Sequence, residues 1–538
     1  MFTKNNKLNR LLAISFLSSS IPMMAQQQQK PNILFIFADD WGKHASIYGE
    51  LEGDKSPSAI VKTPNFDKIA KNGVLFTNAH VNSPSSTPCR SALLSGQYFF
   101  RTGMGSILLG AEWDFNIPTY PLLLQEQGYD IGYMYKVWSP GTPIDAGYGG
   151  IKNAFHNHGR NFNGFSQYVS SKLDSIEEAK EELYAQVRGN FQDFLKTRKS
   201  GQPFCFWFGP TNTHRSWTKG SGKKIWGINP DDLKGKMPAC YADVPEIRED
   251  FADYLGEVQA VDAGIGVVID ELKKIGEYEN TLIVISGDHG AGGFPRSKTN
   301  LYDIGTHVAL AISWKGKIPD NRVVTDFVNL MDLAPTFLDA GGVKVPEVMT
   351  GKSLMPILLS NKQGRVEKER NYVLTGRERH VYANEGNLPY PQRAITTDDY
   401  LYIRNFKPDR WPEGSFEMGM LDIDGGPAKD WIYRHFDDPI YKLYIDYAYA
   451  KRPYEELYDL KKDPHQVHNV AGLTQYKDAK SRLSQLMDKI LIETKDPRMS
   501  ENPLFENPPY TSGKGAINWE NHVKHLMEVY QSGKKQDD

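Results

Sequence analysis

Two short apolar runs, each ending in acidic residues, constrain the fold of this chain more than any other feature. The runs and the residues after them are 33–38 with Asp39-Asp40, and 282–286 with Asp288-His289. Continuous apolar runs of this length are typical of strands buried on both faces of a parallel sheet. Open α/β sheets collect ligands at the carboxyl ends of such strands. The sequence therefore predicts an oxygen-rich cation site there, favouring calcium or magnesium over zinc. In the alternative interpretation, each acidic residue only caps a turn.

The alternation of strand-like and helix-like segments predicts an α/β fold with a large, mostly parallel sheet between helices. Helix-like patterns lie near residues 63–73, 252–275 and 330–340. After residue 376 the pattern changes, and a hairpin around Asp398-Asp399 indicates a smaller α+β part with an antiparallel sheet. We expect a catalytic domain over residues 26–375 and a C-terminal subdomain over residues 376–538, consistent with the chain length.

The N-terminus has the pattern of an export signal. Lys4, Lys7 and Arg10 precede an apolar stretch at residues 11–17, and cleavage is expected after Ala25. The stretch is too short to remain as a membrane-spanning helix, so no integral membrane association is expected. No cysteine follows it to carry a lipid anchor. We expect a periplasmic or secreted protein.

Composition excludes some function classes. The formal net charge is -3, which gives no indication of nucleic-acid binding or of a polybasic membrane surface. The chain has three cysteines, an odd number that defines no disulfide framework.

A motif between the two acidic pairs gives the most specific indication of function. Ser86-Thr87-Pro88-Cys89-Arg90 is followed by a short helix-like segment that ends at Gly96. It resembles the signature of type I sulfatases, C/S-x-P-x-R, in which the first residue is oxidised to formylglycine. By this match Ser86 is the modified residue, because Cys89 lacks the proline and arginine at the required spacing. The resemblance implies an alkaline-phosphatase-like sandwich fold and a partner, a serine-type radical maturation enzyme.

The same resemblance assigns roles to other residues. It implies that Ser86, Arg90 and His214 are catalytic and that Lys136 and Lys298 bind sulfate. It also implies a calcium ion, or alternatively magnesium, whose ligands are Asp39, Asp40, Asp288, His289 and the modified Ser86. A hydrated formylglycine offers one hydroxyl to attack sulfur and a second that helps to release sulfate.

One position departs from the family pattern. Trp138 stands where the family has a histidine that contacts sulfate. An indole carries no charge and donates a single hydrogen bond. Trp138 therefore either contacts a different substrate or only packs in the core. His156 and His158 are alternative donors by residue type alone.

Several segments resemble the sulfamidase (N-sulfoglucosamine sulfohydrolase) branch of the family. These are Thr213-His214-Arg215, residues 298–302, residues 377–380 and residues 390–394. The branch implies that Arg379, His380 and Arg393 approach the substrate, and arginine suits recognition of a uronate or a second sulfate.

We therefore expect an exo-acting carbohydrate sulfatase that acts on sulfated oligosaccharides. The scissile group would be an O-sulfate on an algal glycan such as ulvan, or an N-sulfate on heparan-type glucosamine. The alternatives are a metal-dependent phosphoesterase of the same superfamily and a non-catalytic glycan-binding relative.

Overall fold

The computed structural model describes residues 30–199, 201–501 and 503–506, and the single positions 1, 524 and 528. The export signal expected over residues 1–25 lies, apart from its first residue, outside the described residues. Within the described ranges, no helix has both the length and the apolar character needed to cross a bilayer.

A seven-stranded sheet forms the centre of the larger part, in the order β4-β5-β1-β6-β7-β2-β8. The strands β4, β5, β1 and β6 are mutually parallel, and β7 runs antiparallel to both of its neighbours. The expectation of a mostly parallel sheet is therefore confirmed. In chain order, the strands outside the C-terminal sheet are β1 (Asn32–Ala38), β2 (Val74–Phe76), β3 (Ala79–His80), β4 (Asp130–Tyr135), β5 (Phe204–Gly209), β6 (Thr281–Gly287), β7 (Leu310–Ser313), β8 (Arg322–Val324) and β9 (Val328–Asn329).

Helices cover both faces of this sheet. The helices in chain order are α1 (Ser46–Glu52), α2 (Pro64–Lys71), α3 (Ser86–Ser95), α4 (Tyr120–Glu126), α5 (Phe165–Ser170), α6 (Ile176–Thr197), α7 (Ser221–Trp226), α8 (Pro245–Lys274), α9 (Asp303–Thr306), α10 (Leu333–Ala340), α11 (Met355–Leu358), α12 (Pro427–Arg434), α13 (Lys442–Tyr449) and α14 (Lys477–Glu493).

The central strand β1 shows why its sequence is apolar without interruption. Successive side chains of a strand point to opposite faces. Leu34 and Ile36 join one hydrophobic cluster with residues of α8, while Phe35 and Phe37 join a second cluster with residues of α3 and α10. Because both faces are covered, neither face tolerates polar side chains, and only the carboxyl end of the strand is left for polar groups.

The C-terminal sheet is antiparallel, in the order β10-β11-β12-β13. Its strands are β10 (Tyr372–Arg377), β11 (Gln392–Thr397), β12 (Tyr400–Asn405) and β13 (Glu455–Asp459). The pairing of Thr396 with Leu401 confirms the predicted hairpin around Asp398-Asp399. Residues 406–454 connect β12 to β13 and contain α12 and α13. We call this connection the β12–β13 segment.

Candidate active site

Acidic residues meet at the carboxyl end of the central strands. Asp39 and Asp40 directly follow β1, and Asp288 directly follows the neighbouring parallel strand β6. The backbone N–H of Asp40 donates to Asp288 Oδ1 at 2.8 Å. Asp40 has a φ of 54°, a left-handed conformation that aspartate tolerates better than most residues. This turn brings both carboxylates of the Asp39-Asp40 pair to the sheet edge, where they are buried.

Ser86 lies at the first position of α3, beside these carboxylates. Its hydroxyl donates to Asp39 Oδ1 at 3.0 Å and lies 3.3 Å from His289 Nε2. Lys136 Nζ donates to the same hydroxyl at 3.0 Å. The N-terminus of a helix favours negative charge. The hydroxyl of Ser86 therefore sits where an anion would be stabilised by a helix end and by a lysine.

Arg90 is one turn further along α3 and joins the acidic groups. Its guanidinium donates to Asp288 Oδ2 at 3.0 Å and to Asp39 Oδ1 at 3.1 Å. Its remaining nitrogen donates to the carbonyls of Lys136 and Val137. The fully buried side chain fixes the distance between α3 and the sheet edge.

Two lysines complete the cationic side of the site. Lys136 follows β4 and donates to both carboxylate oxygens of Asp39 at 2.7 Å. Lys298 donates to Asp40 Oδ2 at 3.1 Å and to Asp424 Oδ2 at 2.8 Å. Asp424 belongs to the β12–β13 segment, and sequence reasoning missed it. It stands in a long irregular stretch, with neither a strand end nor a motif to mark it.

The two histidines of the site have assignable tautomers. His289 Nδ1 lies 3.0 Å from the carbonyl of Gly290, and His214 Nδ1 lies 2.6 Å from the carbonyl of Arg215. A carbonyl only accepts, so each Nδ1 carries the hydrogen and each Nε2 presents a lone pair when the ring is neutral. Nε2 of His289 faces Ser86. A ring nitrogen of His214 lies within 4.8 Å of carboxylate oxygens of Asp39 and Asp40.

Opposing charges shift the pKa values of the site. Burial alone would raise the pKa of Asp39, but Lys136 and Arg90 hold it well below its usual value. Burial raises the pKa of Asp288, and the adjacent charge of Asp39 adds to the effect. Burial would lower the pKa of Lys298, whereas Asp40 and Asp424 raise it above the ordinary value. Neighbouring carboxylates with divergent pKa values are typical of functional sites.

The donor set fits a divalent cation. Asp40, Asp288 and His289 offer ligand atoms within 4.8 Å of one another, and all three are completely buried. Asp40 Oδ1 is buried and has no hydrogen-bond partner among the described residues, although an unpaired buried carboxylate oxygen is costly. Carboxylate oxygens with one imidazole suit a hard cation better than a thiolate-selecting metal.

Trp138 takes the second of the two roles that the sequence leaves open, packing in the core. Its side chain is completely buried, its indole N–H donates to Ser91 Oγ at 2.7 Å, and its ring packs edge-on against Trp113. It therefore packs behind α3 and is not available to a substrate. The two alternative donors make their contacts with residues outside the site. His156 packs on Tyr133 and Tyr135, and His158 pairs with Asp193 at 3.1 Å.

The arginines expected at the substrate are also buried. Arg393 is fully buried between Glu378 and Asp496, so the expected contact with substrate is not available to it. Arg379 is 2% exposed and donates to the carbonyl of Leu109, so its side chain is also not accessible to a substrate. His380 lies closer to the site, because its Nδ1 is 2.7 Å from Ser85 Oγ, next to Ser86 in the chain.

The chain matches known proteins over most of its length. The family model Sulfatase covers residues 31–343, and the model N-sulphoglucosamine sulphohydrolase, C-terminal, covers residues 290–415. An ulvan-active sulfatase of Formosa agariphila is 27% identical over 85% of this chain and 78% of its own length. The human N-sulphoglucosamine sulphohydrolase is 27% identical over 87% of this chain and 91% of its own length.

A solved structure of a protein in complex with its substrate D-glucosamine-2-N,6-O-disulfate has the same fold. It is 20% identical, with a TM-score of 0.56, over 88% of this chain and 99% of that one. The acidic sheet edge, the helix that begins at Ser86 and the antiparallel C-terminal sheet thus occur together in a chain of which more than half matches one family model. The protein belongs to the sulfatase family and is a sulfuric ester hydrolase.

Proposed function

We propose that the protein is an exo-acting carbohydrate sulfatase that removes sulfate through a formylglycine derived from Ser86. The observation that carries the proposal is the position of Ser86. It begins α3, faces Asp39 and His289, and receives a hydrogen bond from Lys136. The modified side chain, once hydrated, supplies a nucleophilic hydroxyl.

Positive charge in the site supports sulfate ester hydrolysis. Arg90, Lys136 and Lys298 surround the acidic edge. Fixed cations in a buried site stabilise the charge that develops on sulfate oxygens. His214 is only half-buried, and no described residue forms a hydrogen bond with its Nε2, so this nitrogen can bind a proton and give it to the departing sugar oxygen.

We propose Asp39, Asp40, Asp288 and His289 as ligands of one calcium ion, with magnesium as the alternative. The ion would neutralise the carboxylates and polarise the sulfate. The orphaned Asp40 Oδ1 supports this assignment.

The narrow access to Ser86 supports action on chain ends. Ser86 is 2% exposed, and the site residues with accessible side chains are Lys136, His214 and Asp424. Such a pocket suits a terminal sugar better than the middle of a polysaccharide. We propose sulfated oligosaccharides as substrates, in line with the ulvan-active and sulphoglucosamine relatives.

We further propose two domains, of which residues 376–538 contribute to the substrate pocket through Asp424. We also propose that the protein is exported to the periplasm or the medium after cleavage behind Ala25. A serine-type radical maturation enzyme would convert Ser86.

A phosphoesterase of the same superfamily is the second candidate. Such enzymes use two zinc ions and an unmodified serine or threonine, so metal content and the state of Ser86 separate the two functions.

The test combines peptide mass and activity. After co-expression with a serine-type maturation enzyme, the peptide containing Ser86 should be about 2 Da lighter, because two hydrogens are lost. Ser86→Ala should lose sulfate release from oligosaccharides by at least about 10³-fold while the protein remains folded. The matched control is Ser95→Ala, which removes a buried hydroxyl from the other end of α3. An active enzyme whose Ser86 stays wholly unmodified contradicts the proposal.

A further inference from the structure

Among the described site residues, Asp424 is the one carboxylate that is exposed to solvent and that does not come from an end of the large sheet. It belongs to the β12–β13 segment. A quarter of its side chain is exposed, whereas Asp40 and Lys298, which lie next to it, are 0% and 6% exposed. Asp424 therefore lies on the solvent side of Lys298.

The packing around Asp424 fixes its position. Lys298 bridges Asp424 Oδ2 and Asp40 Oδ2. A Cβ atom at Gly292 would lie 2.2 Å from Asp424 Oδ2 and 2.9 Å from Asp40 Oδ2, so the close approach of these groups requires glycine there. Four residues after Asp424, the backbone N–H of Ala428 donates to the buried carboxylate of Asp250. This hydrogen bond anchors the start of α12 to α8.

The free oxygen of Asp424 is available to a ligand. Oδ2 accepts from Lys298, and Oδ1 makes no hydrogen bond with any described residue. Burial would raise the pKa of Asp424, but Lys298 and His214 hold it below its usual value. The group is thus a fixed negative charge on the side of the pocket where His214 would meet the leaving sugar oxygen.

A fixed carboxylate discriminates between sugars by charge. It accepts hydrogen bonds from hydroxyl or ammonium groups and repels sulfate and carboxylate groups. The arginines that would recognise a second anion, Arg379 and Arg393, are buried in other contacts. The accessible charge beside the sulfate-binding lysine is therefore negative.

We infer that Asp424 selects a sugar that carries a hydroxyl group, and not a second sulfate, on the carbon next to the sulfated one. This inference rests on the proposed sulfatase function and adds the substrate class to it. The β12–β13 segment then supplies specificity, and the sheet edge supplies the chemistry.

The experiment measures kcat/KM for pairs of sulfated sugars. Each pair contains a methyl glycoside with one sulfate and its derivative with a second sulfate on the adjacent carbon, built on glucose, galactose, rhamnose and glucosamine. The enzyme should prefer the monosulfated member of the pair that it cleaves. Asp424→Asn should lower this preference by about tenfold or more, since the repulsion is removed.

Two variants separate recognition from damage to the site. Asp424→Glu keeps the charge and should keep the preference, even where the rate falls. Glu417→Gln removes a negative charge from an exposed position of the same segment and should leave rate and preference unchanged.

The outcomes discriminate between the inference and the proposed function. Cleavage of both members at equal rates, or an Asp424→Asn enzyme with the original preference, overturns the inference and leaves the sulfatase function standing. An equal loss of activity on every substrate in Asp424→Asn overturns it as well, because Asp424 would then act only by positioning Lys298. Failure of a fully converted enzyme to release sulfate from any sugar contradicts the proposed function itself.

Discussion

Arg90 shows how a single residue joins the parts of the pocket. It reaches Asp39 and Asp288 from α3 and takes two backbone carbonyls after β4. Its charge compensates the two carboxylates in a place without solvent, and its planar fork suits this bridging better than lysine would. Asp40 pairs with Lys298 through Oδ2, but its Oδ1 has no hydrogen-bond partner among the described residues, so this oxygen would gain from a bound cation.

A prediction at this scale concerns Asp40. Asp40→Asn keeps the size of the side chain but removes its charge, so bound calcium or magnesium should fall from one per chain to a trace. In the parent protein, calcium at about 100 times its Kd should stabilise the fold by about 2.7 kcal/mol, and the variant should lose this effect. Mass spectrometry of metal content and thermal unfolding with and without calcium check both statements.

The control for that experiment is Asp320→Asn, a charge removal at an exposed position away from the sheet edge. One tightly held calcium in Asp40→Asn would contradict the ligand assignment. A pair of zinc ions in the parent protein would favour the phosphoesterase.

Residues tied to a strand end or to the motif could be placed from the sequence, as the contacts of Ser86, Arg90 and Lys298 illustrate. Asp424 could not, because nothing local marks an irregular segment that folds back from a distant strand. Trp138 takes the packing role, one of the two alternatives that the sequence leaves open, and Arg393 lies in buried ion pairs instead of at the expected substrate contact. Local sequence does not show that an indole has Ser91 to bond, or that an arginine has Glu378 and Asp496.

At the scale of elements, the bounds of α3 agree with those expected from the sequence, whereas the start of α8 does not. The helix expected after the motif runs from Ser86 to Ser95 and ends at Gly96, whose φ of 63° suits glycine. In contrast, α8 begins at Pro245, earlier than the predicted start near residue 252. Its first turns carry Asp250 and Asp253 on the buried face, where they bind Arg215 and backbone N–H groups. Buried charges interrupt the apolar periodicity on which the prediction relies.

A prediction at the element scale concerns Glu257, in the middle of α8. Burial raises its pKa to about 8, and its Oε2 has no hydrogen-bond partner among the described residues. The folded pKa lies above the unfolded value, so the folded state holds the proton more tightly. The stability that Glu257 contributes is present at low pH and is lost as pH rises toward and through about 8.

Glu257→Gln removes this dependence. The variant should therefore gain stability relative to the parent between pH 5 and pH 9, by more than about 1 kcal/mol, since one pKa unit corresponds to about 1.4 kcal/mol. Denaturant unfolding across this pH range measures the difference. Asp270→Asn, on the exposed face of the same helix, should show no comparable trend. A constant difference at all pH values would contradict the role of Glu257.

At the scale of the whole molecule, the larger part could be anticipated and the joining of the two parts could not. Apolar strands and the motif specify the large sheet, and the hairpin residues specify the small one. The contacts between the parts come from long-range ion pairs and ring contacts. Gly376 in β10 packs against the ring of Phe99, which follows α3, and Arg393 in β11 lies over the rings of Phe99 and Phe100. The C-terminal sheet is thereby attached to the helix that presents Ser86.

Arg393 is the centre of this attachment, and it gives the last prediction. Its guanidinium donates to Glu378 at 2.9 Å and to both oxygens of Asp496 at 2.5 and 3.0 Å, with no exposure to solvent. Removal of one partner from a buried ionic network leaves an uncompensated charge and costs about 3–5 kcal/mol. Arg393→Ala should therefore lower thermal stability and should reduce turnover of small and large sulfated substrates by the same factor. Arg482→Ala, an exposed arginine on α14, should change neither quantity. A stable Arg393→Ala enzyme that loses activity only on oligosaccharides would mean that this arginine contacts the sugar after all.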